Sequence, residues 1–292
     1  MKYFVKRLTP YMFVGPAIVI LFALMVYPIG KVIQYSFYDN HIIAPEPTFV
    51  GLKNFGDLLS LKAFWQTLGN TFFLTSISVI GHLVVGLLFA VLLNQPLHKT
   101  ARAVFRTILI LPWIFTAVVV ALNWQLLLNP LGFVNYFLNS LGFTDRWIDW
   151  LGEERYAMFT LIVVNVWRGY PFLMISLLAG LQAIPGILYE AARVDGCNAW
   201  QGFRNITIPG LKPVLFSVGL LDTIWTFRLF PLVWLLTGGG PEQSTEVLAT
   251  FTYRYAFVNF QFSKASAVAV ILLVFTLVFT WFYLKYQESM AQ

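Results

Sequence analysis

Six stretches of this chain, 12–36, 68–93, 107–128, 157–181, 211–236 and 266–286, are almost wholly apolar. An α-helix rises ~1.5 Å per residue and a bilayer's hydrocarbon core is ~30 Å thick, so about 20 such residues suffice to cross it. Backbone donors and acceptors find no water there, and a lone segment satisfies them internally only as a helix. Of 292 residues, 59% are hydrophobic and only 11% charged, too few charges to clothe a water-facing surface. The expected fold class is an all-α integral membrane protein with about six spanning helices. The first stretch follows Lys2, Lys6 and Arg7 as a secretory signal would. It outruns the apolar core of ~7–15 residues in such a signal, and is read as a retained helix.

Lys and Arg stay preferentially on the cytoplasmic side of a membrane. Lys2, Lys6, Arg7, Lys99, Arg102, Arg106, Arg193, Arg204, Lys212 and Lys285 fall on the side that carries the N-terminus. Both termini are therefore expected in the cytoplasm. Loops facing anionic headgroups account for the net charge of +6, so the basic balance gives no reason to expect nucleic acid as a partner. The one cysteine, Cys197, cannot form an internal disulfide.

Between the first two stretches lies an external arm, 38–66, whose Pro45, Pro47 and Gly51 suggest a short ordered cap. The second helix is expected to stop at Gln95 and Pro96, because proline lacks an N–H and disfavours helix in the residue before it. The third carries Pro112 near its cytoplasmic end and is expected to stop at Asn129 and Pro130. The next external loop, 131–156, holds Asp145, Asp149, Glu153 and Glu154 and reads as solvated.

The cytoplasmic loop 182–213 is too polar to enter the bilayer. Pro185 suits the first position of a helix and Gly196 the left-handed residue past a helix end, which defines about three turns containing Glu190, Ala191, Ala192 and Asp195. Asn198, with Gln201 three positions later, reads as a capping box opening a second short helix to about Asn205, and Pro209 and Pro213 are expected to close the loop. Two stiff helices joined at a glycine between two spans can transmit a push, and small alanines beside Glu190 let another surface approach. The run Glu190, Ala191, Ala192, Asp195, Gly196, Trp200, Gln201, Phe203, Ile206, Thr207, Ile208, Pro209 resembles the EAA loop of permease subunits of bacterial binding-protein-dependent ABC importers. Cys197 and Ile208 stand where that family usually has alanine and leucine. The stretches 165–171 and 236–241 resemble the maltose-type carbohydrate branch. The resemblance implies the type I importer fold, a single transmembrane permease domain over 1–292 with its core at 66–286, and a coupling loop at 185–213. It also implies that Glu190, Ala191, Ala192, Asp195 and Gly196 seat against a cytosolic ATPase.

A charged side chain at mid-bilayer costs about 2.5–3.5 kcal/mol on insertion scales, so it needs a partner or a wet cavity. Arg168, Asp222 and Arg228 lie inside the stretches. Asp222, Trp225, Thr226 and Leu229 share one helical stripe by spacing, as do Asn165, Arg168, Gly169 and Phe172, and Pro171 invites a local break. Stripes mixing polar groups with aromatic rings suit a cavity wall that binds sugar, since hydroxyls need donors and acceptors while a sugar's apolar face stacks on a ring. In the maltose branch segments matching these two hold the solute midway through the membrane. That resemblance nominates Asn165, Arg168, Gly169 and Phe172 with Asp222, Trp225, Thr226 and Leu229 as solute contacts. The competing reading is that Arg168 and Asp222 pair with each other across helices and only rigidify the bundle. Asn123, Trp124 and Gln125 read as interhelical glue or interface anchors rather than ligands.

No G-x-x-x-x-G-K-[ST] phosphate loop occurs, and His41, His82 and His98 are dispersed with no metal-ligand spacing. The chain is therefore expected not to be an enzyme and to hold no cofactor or metal itself, ATP and Mg²⁺ being bound by partner ATPase subunits. The expected partners are a second homologous permease, two cytosolic ATPases, an extracytoplasmic solute-binding protein and membrane lipid. The expected place is the bacterial inner membrane. A secondary transporter or channel independent of an ATPase is the alternative, but it gives no reason for the stiff cytoplasmic loop.

Overall fold

A computed structural model describes residues 14–39, 46–96 and 98–291. Lys2, Lys6, Arg7, the expected helix start at Met12, His41 and Pro45 lie outside the described residues. Among the described residues six helical stretches are long and apolar enough to cross a membrane: Val14–Ser36, Lys62–Asn94, Ala117–Ser140, Glu154–Ala183, Ala199–Phe227 and Phe262–Glu288. The expected six-span, all-helical class holds, with helix ends shifted by several residues.

The third span departs most from expectation. Helix Lys99–Ile114 ends at Phe115 in extended backbone, and Ala117–Leu128 starts afresh with Thr116 Oγ1 accepting from the Val119 N–H at 3.4 Å. Twelve residues of helix cover only ~18 Å, so crossing ~30 Å of hydrocarbon also needs the last turns of Lys99–Ile114. A turn at 129–132 then leads into Phe133–Ser140.

The fifth span differs at both ends. It begins at Ala199, and Pro209 and Pro213 lie within continuous helix instead of closing a loop. A wide turn at Phe203–Thr207, where the Ile208 N–H donates to Phe203 O, carries the chain past Pro209. In a regular α-helix that ring would collide with the Asn205 carbonyl. Helix stops at Phe227, and a separate short helix, Pro231–Leu236, follows. Pro171 makes no break either, since Glu154–Ala183 runs through it.

The chain divides into two compact units. One comprises the residues up to Phe64 with Phe251–Leu273. Here β1 (Tyr38–Asp39) pairs antiparallel with β2 (Thr48–Phe49), and Asn54, 5% exposed, donates from Nδ2 to Ser36 O at 2.9 Å and Tyr38 O at 3.0 Å, tying the external arm to the end of the first span.

The other unit, Trp65–Thr250 with Val274–Gln292, is organised around the fourth span. Of that span's most apolar window 56% is buried, against 28% or less for every other span. Toward one end Leu161, Ile162 and Val164 pack with Val120, Ala121, Leu232 and Val233. Toward the other, Leu173, Met174, Leu177 and Leu181 pack with Ala90, Leu93 and Leu211. Gly86 lets the second span approach the fourth closely, since a Cβ there would lie 3.0 Å from Leu173 Cβ and from the Met174 amide nitrogen. Gln125 Nε2 donates to Leu235 O at 2.7 Å and the Trp124 ring meets Trp167 edge-on at 5.6 Å, which bears out the reading of both as glue. Among the described residues Asn123 donates within its own helix, to Val119 O at 2.8 Å. Phe227 is enclosed by Phe72, Phe275 and Phe279, at 5.1 to 5.7 Å between ring centroids, joining the second, fifth and sixth spans.

Candidate functional site

The polar loop folds into the two short elements its end signals specify. Helix Gly186–Val194 has Pro185 as its N-cap, one position earlier than expected, with Asp195 as C-cap. Gly196 takes φ +79°, and the Cys197 and Gly196 N–H groups donate to Ala192 O and Arg193 O at 2.9 and 3.2 Å. These two bonds satisfy end carbonyls that the helix itself leaves open. The Asn198 capping box is complete: the Gln201 N–H donates to Asn198 Oδ1 at 2.9 Å, and the Asn198 N–H to Gln201 Oε1 at 2.8 Å. A hydroxyl pair, Tyr189 with Thr207 at 2.9 Å, braces the loop helix against the start of the fifth span.

This helix buries no residue within the chain. Glu190, Ala191, Asp195 and Gly196 are exposed, and Ala192 is half-buried. Apolar side chains stand in the open with them: Ile187 at 70%, Val194 at 88% and Trp200 at 67% exposure. A cavity of about 1040 Å³ opens between the loop and the ends of the second and fourth spans, lined by Asn94, Leu181, Tyr189, Arg193, Cys197 and Trp200.

Within the membrane the structure joins several of the nominated residues through one that was not nominated. His82, on the second span and 2% exposed, puts Nδ1 2.7 Å from Asp222 Oδ2 on the fifth. Its Nε2 lies 2.9 Å from the backbone oxygen of Asn165 on the fourth. A carbonyl only accepts, so Nε2 carries a proton, and Nδ1 either donates to the Asp222 carboxylate or accepts from its acid form. In both cases the pair as a unit is neutral. Gly169 lies one turn beyond Asn165, and a Cβ there would collide with the His82 ring. The glycine is what lets the imidazole reach that carbonyl.

Asp222 and Arg168 therefore do not pair, contrary to the competing reading of a cross-helix bridge. Asp222, 5% exposed, has His82. Arg168 meets no acceptor among the described residues, and its Nε is buried without one. Asn165 is 4% exposed with Nδ2 likewise unpartnered, and Thr226 is buried at 6%. Leu229 leaves the proposed stripe, because the helix ends at Phe227 and Arg228 caps it.

The aromatic part of the two stripes does come together. Phe172 and Trp225 lie 5.0 Å apart, and Trp113 extends the row at 6.0 Å from Phe172. Trp113 and Trp225 are 46% and 45% exposed, so this row from three spans offers ring surface to an adjoining space. Neither His82 nor Trp113 was nominated. The signal for His82 was its place in an apolar stretch, where a polar ring needs partners; the only sequence mark of Trp113 is its place beside Pro112, at the coming break.

Residues 82–291 match the family described as binding-protein-dependent transport system inner membrane component. The chain is 35% identical over 276 residues to a trehalose/maltose transport system permease protein of Thermococcus litoralis, covering 94% of this chain and 92% of the relative. It superposes with a TM-score of 0.85 and 25% identity on a crystal structure of a bacterial ABC transporter that imports the acidic polysaccharide alginate, covering 99% of this chain and 98% of that one. A crystal structure of a bacterial alginate ABC transporter with its pentasaccharide-bound periplasmic protein aligns with a TM-score of 0.82 and 26% identity, over 96% of this chain and 94% of that one.

Proposed function

Because this chain belongs to the inner membrane components of binding-protein-dependent transport systems, and so is a multi-pass permease of an ABC importer, we propose that it carries a sugar or sugar derivative inward by alternating access. In this reading an extracytoplasmic binding protein delivers the solute. Two cytosolic ATPases bind ATP with Mg²⁺ and close, and a second, homologous permease completes the pathway. Membership in this family sets aside the ATPase-independent transporter or channel.

One observation carries the coupling role. Helix Gly186–Val194 has capped ends and buries nothing within its own chain, yet exposes Ile187 and Val194 beside Glu190. Exposed apolar groups on a preformed, braced helix are what a partner's cleft covers. Glu190, Ala191, Ala192, Asp195 and Gly196 form the contact, and the Tyr189–Thr207 hydroxyl pair passes its movement to the fifth span. At the other site the ring row of Trp113, Phe172 and Trp225 stacks the solute. Arg168 and Asn165 offer donors, while Gly169, Asp222 and Thr226 support the wall from behind. Both termini face the cytoplasm of a bacterial cell in this arrangement.

ATP hydrolysis by the co-expressed complex in lipid, with and without loaded binding protein, tests the reading. Glu190→Arg is expected to leave the complex assembled but abolish the stimulation. Normal stimulation of the variant refutes the coupling role, and a chain that recruits no ATPase refutes this assembly.

A further inference from the structure

We propose that the solute is anionic, an acidic sugar whose carboxylate is read by Arg168, and that His82 makes this so by cancelling the charge of Asp222. The inference rests on the sugar reading of the same site and adds the charge class to it. In sequence the site holds one acid and one base and is neutral. The structure divides them. His82 and Asp222, 2% and 5% exposed, are 2.7 Å apart and together carry no net charge, since both His82 ring nitrogens face oxygens and Asn165 O can only accept. Arg168 is left without a carboxylate or carbonyl among the described residues. The guanidinium holds its charge, and a half-buried cation whose Nε has no acceptor favours an anion bound beside it. The other charged residue of this region, Arg228, is also a cation, exposed at the end of the fifth span with Nε donating to Ile224 O at 3.3 Å.

The hydrogen-bonding inventory agrees with the charge. Two buried side-chain atoms of the site, Arg168 Nε and Asn165 Nδ2, are donors with no partner, and Asp222 Oδ2 and Asn165 O are engaged by His82. Buried donors left open suit a ligand that brings acceptors, as a carboxylate does. Arg168 lies one helical turn from Phe172, whose ring heads the row shared with Trp225 and Trp113. A cation one turn from a ring surface matches a pyranose that bears a carboxylate at its edge.

The test is equilibrium binding to the purified importer complex in nanodiscs, without binding protein, of trigalacturonate and of the neutral maltotriose. Trigalacturonate is expected to bind at least about tenfold more tightly at low ionic strength, the scale of one charge-assisted hydrogen bond. Arg168→Gln is expected to erase that preference and Arg168→Lys to keep much of it. His82→Gln, which leaves Asp222 as an uncompensated carboxylate, is expected to reduce it also; this variant and Arg168→Lys carry the test if Arg168→Gln fails to assemble. Equal or tighter binding of maltotriose overturns the anionic class and leaves the sugar reading standing. Binding of neither overturns both.

Discussion

At the scale of the residue, the carbonyl of Asn165 is open to His82 only because position 169 has no side chain. Gly169→Ala puts a methyl group into the imidazole, and overpacking of this kind costs about 1–3 kcal/mol. A lowered thermal midpoint of the assembled complex is the expected outcome, and the double variant with His82→Ala, which vacates the space, is expected to lose less than the two single losses added together. The pair His82–Asp222 makes a second, asymmetric prediction. His82→Ala leaves the buried Asp222 without its partner, a loss of about 3–5 kcal/mol, whereas Asp222→Asn removes the charge and offers an amide N–H to the Nδ1 of a neutral ring. Thermal denaturation of the two variants should rank His82→Ala well below Asp222→Asn; equal midpoints would mean that Asp222 has another partner.

Elements here are closed by their ends. Gly196 has open space around it, so Gly196→Ala introduces no clash, only an L-residue at φ +79°, worth about 1–2 kcal/mol. The expected result is weakened ATPase association in a pull-down with the spans intact, because the strain is confined to the junction between the two loop helices. These ends were legible beforehand, Gly196 past one helix and the Asn198–Gln201 box before the next, because a cap is a bargain between residues three or four apart. Prolines were not. Pro171, Pro209 and Pro213 signal breaks in a water-exposed helix, but in a bundle neighbours and wide turns satisfy the freed backbone groups, and the helices run on. The break that does occur, at Phe115 and Thr116, comes three residues after Pro112, and the end of the fifth span at Phe227 has no proline before Pro231.

For the whole molecule the orientation and the partner surface can be read with one native probe. Cys197, the only cysteine of the chain, is partly exposed and lines the cavity beside the loop helix. A membrane-impermeant maleimide is expected to label it in inside-out vesicles and not in right-side-out ones. Bound ATPase is expected to slow the labelling several-fold by covering the loop. Labelling from the outside would reverse the topology and with it the coupling role.

What the sequence determined by itself is whatever depends on neighbours along the chain: six apolar lengths matched to a bilayer, the capped loop helices, and the family motif they carry. The stripes 165–172 and 222–229 also named several of the residues that the structure brings together within the spans, because helical periodicity places i, i+3 and i+4 on one face. The tertiary structure alone decided who pairs with whom. His82 meets Asp222 across 140 positions and Asn165 across 83, Trp113 joins a row from three spans, and Leu229 drops out where the helix ends. A buried charge takes whichever partner packing brings within hydrogen-bonding distance, and that is fixed by how the spans close around the fourth helix, not by distance along the chain.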